Sequence, residues 1–227
     1  MRLQDKVAII TGSARGIGQA TALKFAQEGA IVVVCDLDRK AVDEVVDQIL
    51  AGQGQAIGGT LNVAKVASVN ALIKEVMEKF GRIDVLVNNA GIVDDGRLRN
   101  MSEEQFDRVY AVNVKSLYHS TRNIVPYFRK QGGGSFVTIA STAGVRPRPG
   151  LVWYNGSKGA AIVASRSMAV ELAPDKIRVN VVNPVAGDTP LLGEFMGGDT
   201  PELRAKFVAS IPMGRFSKPS DIANACL

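Results

Sequence analysis

Thr11-Gly12-Ser13-Ala14-Arg15-Gly16-Ile17-Gly18, entered directly from the run Lys6-Val7-Ala8-Ile9-Ile10, decides how this chain folds. A short β-branched run reads as a buried strand, and three glycines at its exit read as a turn with an open backbone. A helix over about residues 16–28 follows. Glycine lets the main chain approach a pyrophosphate, and the free N–H groups and dipole of a helix amino terminus favour its charge. Asp36, eighteen residues past Gly18, closes a second buried run, Ile31-Val32-Val33-Val34-Cys35. A carboxylate there can hydrogen-bond both ribose hydroxyls of an adenosine and repels a 2′-phosphate. The pattern favours NAD(H). Arg15 pulls the other way, because a guanidinium there can reach such a phosphate, so NADP(H) stays possible.

The same alternation repeats outward from this unit. Helical patterns cover about 39–50 and 67–80, and short runs at 55–60 and 84–87 read as strands three and four. Ser102-Glu103-Glu104-Gln105 reads as a capping box with its acids where the helix dipole favours them. It opens one long helix towards Lys130, which Gly132-Gly133-Gly134 stops. Strand five falls at 135–140, a helix runs from about Leu151 to before Pro174, and strand six falls at 177–182. Such regular crossovers predict a doubly wound parallel α/β sheet of the Rossmann type, with helices on both faces and one domain over residues 1–227.

The bulk properties bound the partners. Of 227 residues 46% are hydrophobic and 22% charged, and the formal charge is +5. The basic residues are scattered and form no stripe interleaved with aromatics, which argues against nucleic acid. No apolar run is long enough for a membrane span, so a cytoplasmic protein is the expectation. Cys35 and Cys226 stand far apart, and His119, the single histidine, has no acidic neighbours at metal spacing, so no metal site is expected.

The second chemical signal is Tyr154 and Lys158, thirteen residues beyond Ser141. Four residues is about one helical turn, so a helix puts the phenol and the ammonium on one face. Asn155-Gly156 between them is a strong hairpin dipeptide. Ala160, Ala161, Ala164 and Met168 nevertheless fit a helical stripe, and such small residues suit close approach of another helix, as at an oligomer interface. Residues 184–218 have weak periodicity and read as a substrate loop. Leu191, Leu192, Phe195, Met196 and Phe207 make it apolar, either as a lid or as packing on the core.

The ordered set Thr11-Gly12-x-x-x-Gly16-Ile17-Gly18, Asn88-Asn89-Ala90-Gly91, Asn113, Ser141 and Tyr154-x-x-x-Lys158 resembles the short-chain dehydrogenase/reductase family over essentially the whole chain. The resemblance implies hydride exchange between a nicotinamide cofactor and a carbon bearing an alcohol or ketone. It implies Tyr154 as general acid/base, Lys158 as the ammonium that lowers the phenol's pKa and binds the nicotinamide ribose, Ser141 as the holder of the substrate oxygen, and Asn113 as support for a water-linked proton path. It places Gly12, Arg15, Gly16, Ile17, Gly18, Asp36, Asn62, Val63, Asn89, Ala90, Gly91, Tyr154, Lys158, Pro184 and Thr189 around the cofactor.

This chain departs from the family pattern at three places. Asn62 stands where an aspartate is usual beside the adenine. Val185 follows Pro184 where glycine is usual, and Gly187 stands where a branched residue is common, so a reshaped turn is expected. The family usually continues past a helix such as the one opened by Lys218-Pro219-Ser220-Asp221 into a further edge strand, and a truncated chain lacking that strand is expected here. A homo-dimer or homo-tetramer is implied. Among substrates, simple secondary alcohols or ketones, cyclic alcohols or sugars stay open. So do 3-oxoacyl thioesters on acyl carrier protein, a reduction that usually draws on NADPH, with Arg129, Lys130, Arg146 and Arg148 available to an acidic carrier. A cofactor-sensing binding protein without turnover is the reading from another class.

Overall fold

A computed structural model describes residues 1–93 and 100–227. Among them β1 (Val7–Thr11), β2 (Ile31–Asp36), β3 (Gln55–Thr60), β4 (Val85–Asn88), β5 (Gly134–Ile139) and β6 (Ile177–Val182) form one sheet. Its order is β3-β2-β1-β4-β5-β6, and every neighbouring pair runs parallel. The first helices are α1 (Gly16–Gln27), α2 (Arg39–Ala51), α3 (Val66–Phe80) and α4 (Glu103–Tyr110). They are followed by α5 (Ser116–Gln131), α6 (Val152–Leu172), α7 (Leu192–Met196), α8 (Pro201–Ala209) and α9 (Pro219–Cys226).

A parallel sheet covered on both sides needs strands that are apolar on both faces, and β1 is buried at all five positions. Successive side chains alternate between faces. Val7 and Ile9 therefore join α3 and α5 through Leu72, Ile73, Val76, Ile124 and Phe128. Ala8 and Ile10 join α1, α2 and α9 through Ala22, Phe25, Val42, Val45 and Ile222. Phe25, Phe128 and Phe136 are among the largest side chains wholly withdrawn from water, each worth on the order of 2–3 kcal/mol. The strand order reverses between β1 and β4, and that reversal opens a crevice at the carboxyl ends of the strands.

The structure changes the expected helix over 102–130. The capping box forms, with Ser102 accepting from Gln105 N and Gln105 closing back on Ser102 N. Residues Ala111–Lys115 then widen into a π turn before α5 resumes. Single π turns alter which side chains face inward, and this one carries the buried Asn113. The helix over Asn155-Gly156 holds, for a reason local pattern does not show. A Cβ on Gly156 would sit 2.9 Å from the Tyr110 hydroxyl, so the bare glycine leaves room for the end of that side chain where α4 meets the start of α6. Phe106 stacks on Tyr110 at 4.5 Å and meets Trp153 edge-on at 5.1 Å, fixing the same junction.

The apolar residues after β6 do not merge with the main core. Ala186, Leu192, Met196 and Ile211 form a separate buried cluster with Val185, Phe195, Phe207 and Phe216 against it. A bridge between Gly187 and Ser217 closes the excursion at its base.

Candidate active site

The glycine turn is held open by hydrogen bonds from Asn89 and Thr11. Gly12 and Gly16 take φ of +65° and +58°, values that branched residues rarely reach. A Cβ on Gly18 would lie 2.2 Å from the Gly12 carbonyl oxygen and 2.5 Å from Asn89 Nδ2. Asn89 Nδ2 donates to the Thr11 and Gly12 carbonyls, both at 2.9 Å. Thr11 Oγ1 accepts from the amides of Asn89 and Ala90, both at 3.0 Å. The ends of β1 and β4 are thereby latched together, which leaves the amino terminus of α1 facing a bare backbone cradle.

Asp36 sits at the rim of this cradle. Its Oδ1 accepts from Leu37 N at 2.7 Å and its Oδ2 faces Ala14 N at 3.4 Å. Arg15 does not reach towards a free mouth: its Nη2 lies 2.9 Å from Asp38 Oδ2. Asn62 organises the turn after β3, with Oδ1 accepting from Ala64 N and the Asn62 amide donating to Ser68 Oγ. His119 Nδ1 lies 3.1 Å from the Val63 carbonyl. That oxygen can only accept, so Nδ1 carries a proton and the histidine holds the turn beneath Val63.

At the other end of the same crevice, Ser141 leaves β5 and Tyr154 and Lys158 project from the first turns of α6. Lys158 is buried and donates to the Ile139 carbonyl at 3.0 Å, and its Nζ lies 5.8 Å from the Tyr154 ring centroid. Burial pulls the Lys158 ammonium down to about 8. For Tyr154 the outcome differs from the expectation. Desolvation dominates and holds the phenol above its ordinary value, while the facing Ser141 hydroxyl pulls the other way. Burial disfavours the charged form of Lys158 as well, so both groups are held towards their neutral forms.

Asn113 is fixed on both sides. Its Oδ1 accepts from Ile92 N at 2.9 Å, and its Nδ2 donates to the Ile92 carbonyl at 2.9 Å and to Ser157 Oγ at 3.0 Å. Ser157 donates in turn to the Tyr154 carbonyl at 2.7 Å. The point that a Cβ on Gly91 would occupy is 3.2 Å from Lys158 Nζ and 3.4 Å from Asn113 Oδ1, so amide and ammonium are near neighbours.

One cleft of about 550 Å³ joins these parts. Every cofactor-side residue expected from sequence lines it, as do Ser141, Tyr154 and Lys158; Asn113 stands behind the wall at Ile92. Pro184, Val185, Gly187 and Thr189 form its far wall, with Leu191, Leu192, Glu194 and Phe195. The turn at Val185 and Gly187 carries no positive φ, so the branched side chain is accommodated without strain and joins the lid cluster. Thr189 and Pro190 come within van der Waals distance of a Cβ on Gly16, which brings the lid over the cradle. Phe195 meets the Tyr154 ring edge-on at 6.1 Å.

The four basic residues expected near a carrier are not together. Arg129 pairs with Asp175 at 2.7 Å. With Lys130 it closes α5 just before β5 begins, a full strand length from Ser141. Arg146 and Arg148 lie after Ser141, and Arg148 stacks over the Phe207 ring of the lid at 4.9 Å. The sequence reading missed Asp38, Ser157, Tyr110 and Leu37. A carboxylate at the cap of the second helix was a visible signal for Asp38. The other three depend on which elements meet.

The residues therefore fit a dinucleotide: the bare cradle, the carboxylate at the ribose position, and an acid, a cation and a hydroxyl at the far end. Comparison with known proteins agrees with this. A family model described as enoyl-(acyl carrier protein) reductase matches residues 12–227. The chain is 42% identical over 227 residues to 4-formylbenzenesulfonate dehydrogenase of Comamonas testosteroni, covering 99% of this chain and 90% of that one. It is 41% identical to a 3-oxoacyl-[acyl-carrier-protein] reductase of Thermotoga maritima, with 100% and 91% covered. The crystal structure of a 3-ketoacyl-(acyl-carrier-protein) reductase from Brucella melitensis complexed with NADH superposes with a TM-score of 0.92 at 42% identity, covering 99% and 90%.

Proposed function

The chain belongs to the short-chain dehydrogenase/reductase family, oxidoreductases acting on CH–OH groups, and on that premise we propose an NAD(H)-preferring enzyme that interconverts an apolar secondary alcohol and its ketone. The observation that carries it is the single cleft in which the Asp36-rimmed cradle and the Ser141–Tyr154–Lys158 group face each other. A bound nicotinamide supplies or takes the hydride.

The remaining steps belong to this chain. The Ser141 hydroxyl holds the substrate oxygen beside the phenol. In reduction, Tyr154 donates its proton to the oxygen that gains charge, and in oxidation it takes that proton back. A phenol held above its ordinary value keeps the proton it must give. Lys158, nearly all protonated at neutral pH with a value of about 8, favours the phenolate left behind. Val185, Leu191, Leu192 and Phe195 surround the substrate body with apolar surface. Val163 and Val170 are 63% and 79% exposed on the outer face of α6, one helical repeat of seven apart, which supports a homo-dimer or homo-tetramer that buries them. Arg148, stacked over the Phe207 ring of the lid with Arg146 two residues before it in the chain, favours a second reading, a 3-oxoacyl thioester presented by an acidic carrier.

A turnover panel tests these readings: NADH and NADPH crossed with simple ketones, cyclic ketones, sugars and acetoacetyl thioesters, on the parent and on Tyr154→Phe. The parent should reduce apolar ketones with NADH, and the variant should lose about 10³-fold in kcat/KM. Equal turnover by the variant removes Tyr154 as the acid. Preference for NADPH overturns the cofactor reading. Binding of NADH by both without any turnover points to a cofactor-sensing protein.

A further inference from the structure

The cradle holds two groups of opposite tendency, Asp36 against a 2′-phosphate and Arg15 towards one. A guanidinium forks onto a phosphate with two parallel hydrogen bonds, so an unengaged Arg15 would undo much of what Asp36 does. The structure shows where that fork goes. Arg15 Nη2 is 2.9 Å from Asp38 Oδ2, across the gap between the start of α1 and the start of α2. Asp38 is itself held in place: its Oδ1 accepts from Ala41 N at 3.2 Å as the cap of α2, and its amide faces Asp36 Oδ1 at 3.4 Å. The neighbouring guanidinium, Arg39, is engaged by Asp43 and by the Gly58 carbonyl.

From this geometry we infer that Asp38 is a cofactor-specificity residue: it occupies Arg15 and thereby keeps a 2′-phosphorylated dinucleotide out. The inference rests on the NAD(H) preference proposed above and explains how that preference survives a basic residue in the cradle. With Asp38 in place, a 2′-phosphate meets two carboxylates and one guanidinium already half used. Without its charge, the phosphate meets one carboxylate and a free fork. Both side chains are about half exposed, at 58% and 48%, so the pair contributes little to folding. Its consequence is for ligand choice.

The test is a double-variant cycle read by fluorescence titration of NADH and NADPH, which needs no turnover. Asp38→Asn keeps a capping side chain on α2 and removes the charge. It should tighten NADPH binding about tenfold relative to NADH, the scale of one charge-assisted hydrogen bond regained. In an Arg15→Ala background the same change should move that ratio less than about twofold. An equal gain in both backgrounds overturns the inference, because Asp38 would then act by repulsion alone. No gain in either background overturns it too. A parent that binds NADPH more tightly defeats the NAD(H) reading, yet the coupling between Arg15 and Asp38 is still read from the cycle.

Discussion

The cradle and the lid face each other across one cleft and are built on different terms. Around the cradle, Ser13 is wholly buried and Thr11 is 4% exposed, and the hydrogen bonds among Thr11, Gly12, Asn89 and Ala90 join backbone to side chain at fixed points. The lid rests on a small apolar cluster, with Arg204 bridging Asp199 and Asp188 at its surface. Exposed pairs of that kind contribute at most about 1 kcal/mol. A site made from backbone tolerates few substitutions, because each atom has one partner at one distance. A site made from apolar volume tolerates many, because several side chains of similar size would serve. On the function proposed above, the first kind fixes the cofactor and the second selects the substrate loosely.

Replacing one glycine on each side breaks or upholds this contrast most directly. Gly18→Ala puts a methyl 2.2 Å from the Gly12 oxygen, against backbone that cannot yield. Denaturant unfolding should show a loss of about 3 kcal/mol, and NADH titration should show little or no binding. Gly193→Ala in α7 meets only Asp199 Cβ, at 3.4 Å, an ordinary contact. It should raise stability by about 0.5 kcal/mol through the unfolded chain. Similar costs at the two positions would erase the distinction.

The reactive end gives up stability to bury its cation. Lys158 falls from 10.5 to about 8 on folding because its charged form is buried. The unfolded chain therefore binds the proton more strongly, and stability rises with pH between about 8 and 10.5. Below pH 8 the full penalty applies, on the order of 3 kcal/mol. Lys158→Met removes that penalty and leaves the Ile139 carbonyl without its donor, which costs about 1 kcal/mol. At pH 7 the variant should be inactive yet melt roughly 5 °C higher, with the difference shrinking as pH rises from 8 to 10.5. A variant that is less stable at every pH would show that the lysine is held by more than it loses.

These cases also explain what could be read from the amino-acid order. Gly12, Gly16, Gly18, Asp36 and the Tyr154–Lys158 pair were legible because each acts through local geometry: a turn, a strand end, a helical turn. The sheet was legible because β1 and β2 must be apolar on both faces. The π turn at Asn113 was not, since an i to i+5 turn leaves no composition signal and depends on Ile92 and Ser157 arriving from elsewhere. The helix over Gly156 was legible from its stripe of small residues, but the Tyr110 hydroxyl of another helix that lies over that glycine was not. The phenol's raised value was illegible for a similar reason. Proximity of Lys158 follows from spacing, while the burial that raises the phenol depends on which elements pack around the ring.

The smallest expected effect sharpens the comparison at the lid. Phe195 lies 6.1 Å from the Tyr154 ring on one side and 6.1 Å from Phe207 on the other, edge-on to both. If the lid supplies apolar wall alone, Phe195→Ala removes contact that ground state and transition state share equally. Such a loss raises KM without lowering kcat. About tenfold in KM for a bulky ketone, or 1.4 kcal/mol, with kcat within about threefold, is the expected outcome of steady-state kinetics. A compact ketone that does not reach Phe195 should lose much less. The opposite split, kcat falling while KM holds, would mean that Phe195 orients the phenol. The lid would then belong with the cradle as a part of the chemistry, and its residues would be as constrained as the glycines opposite.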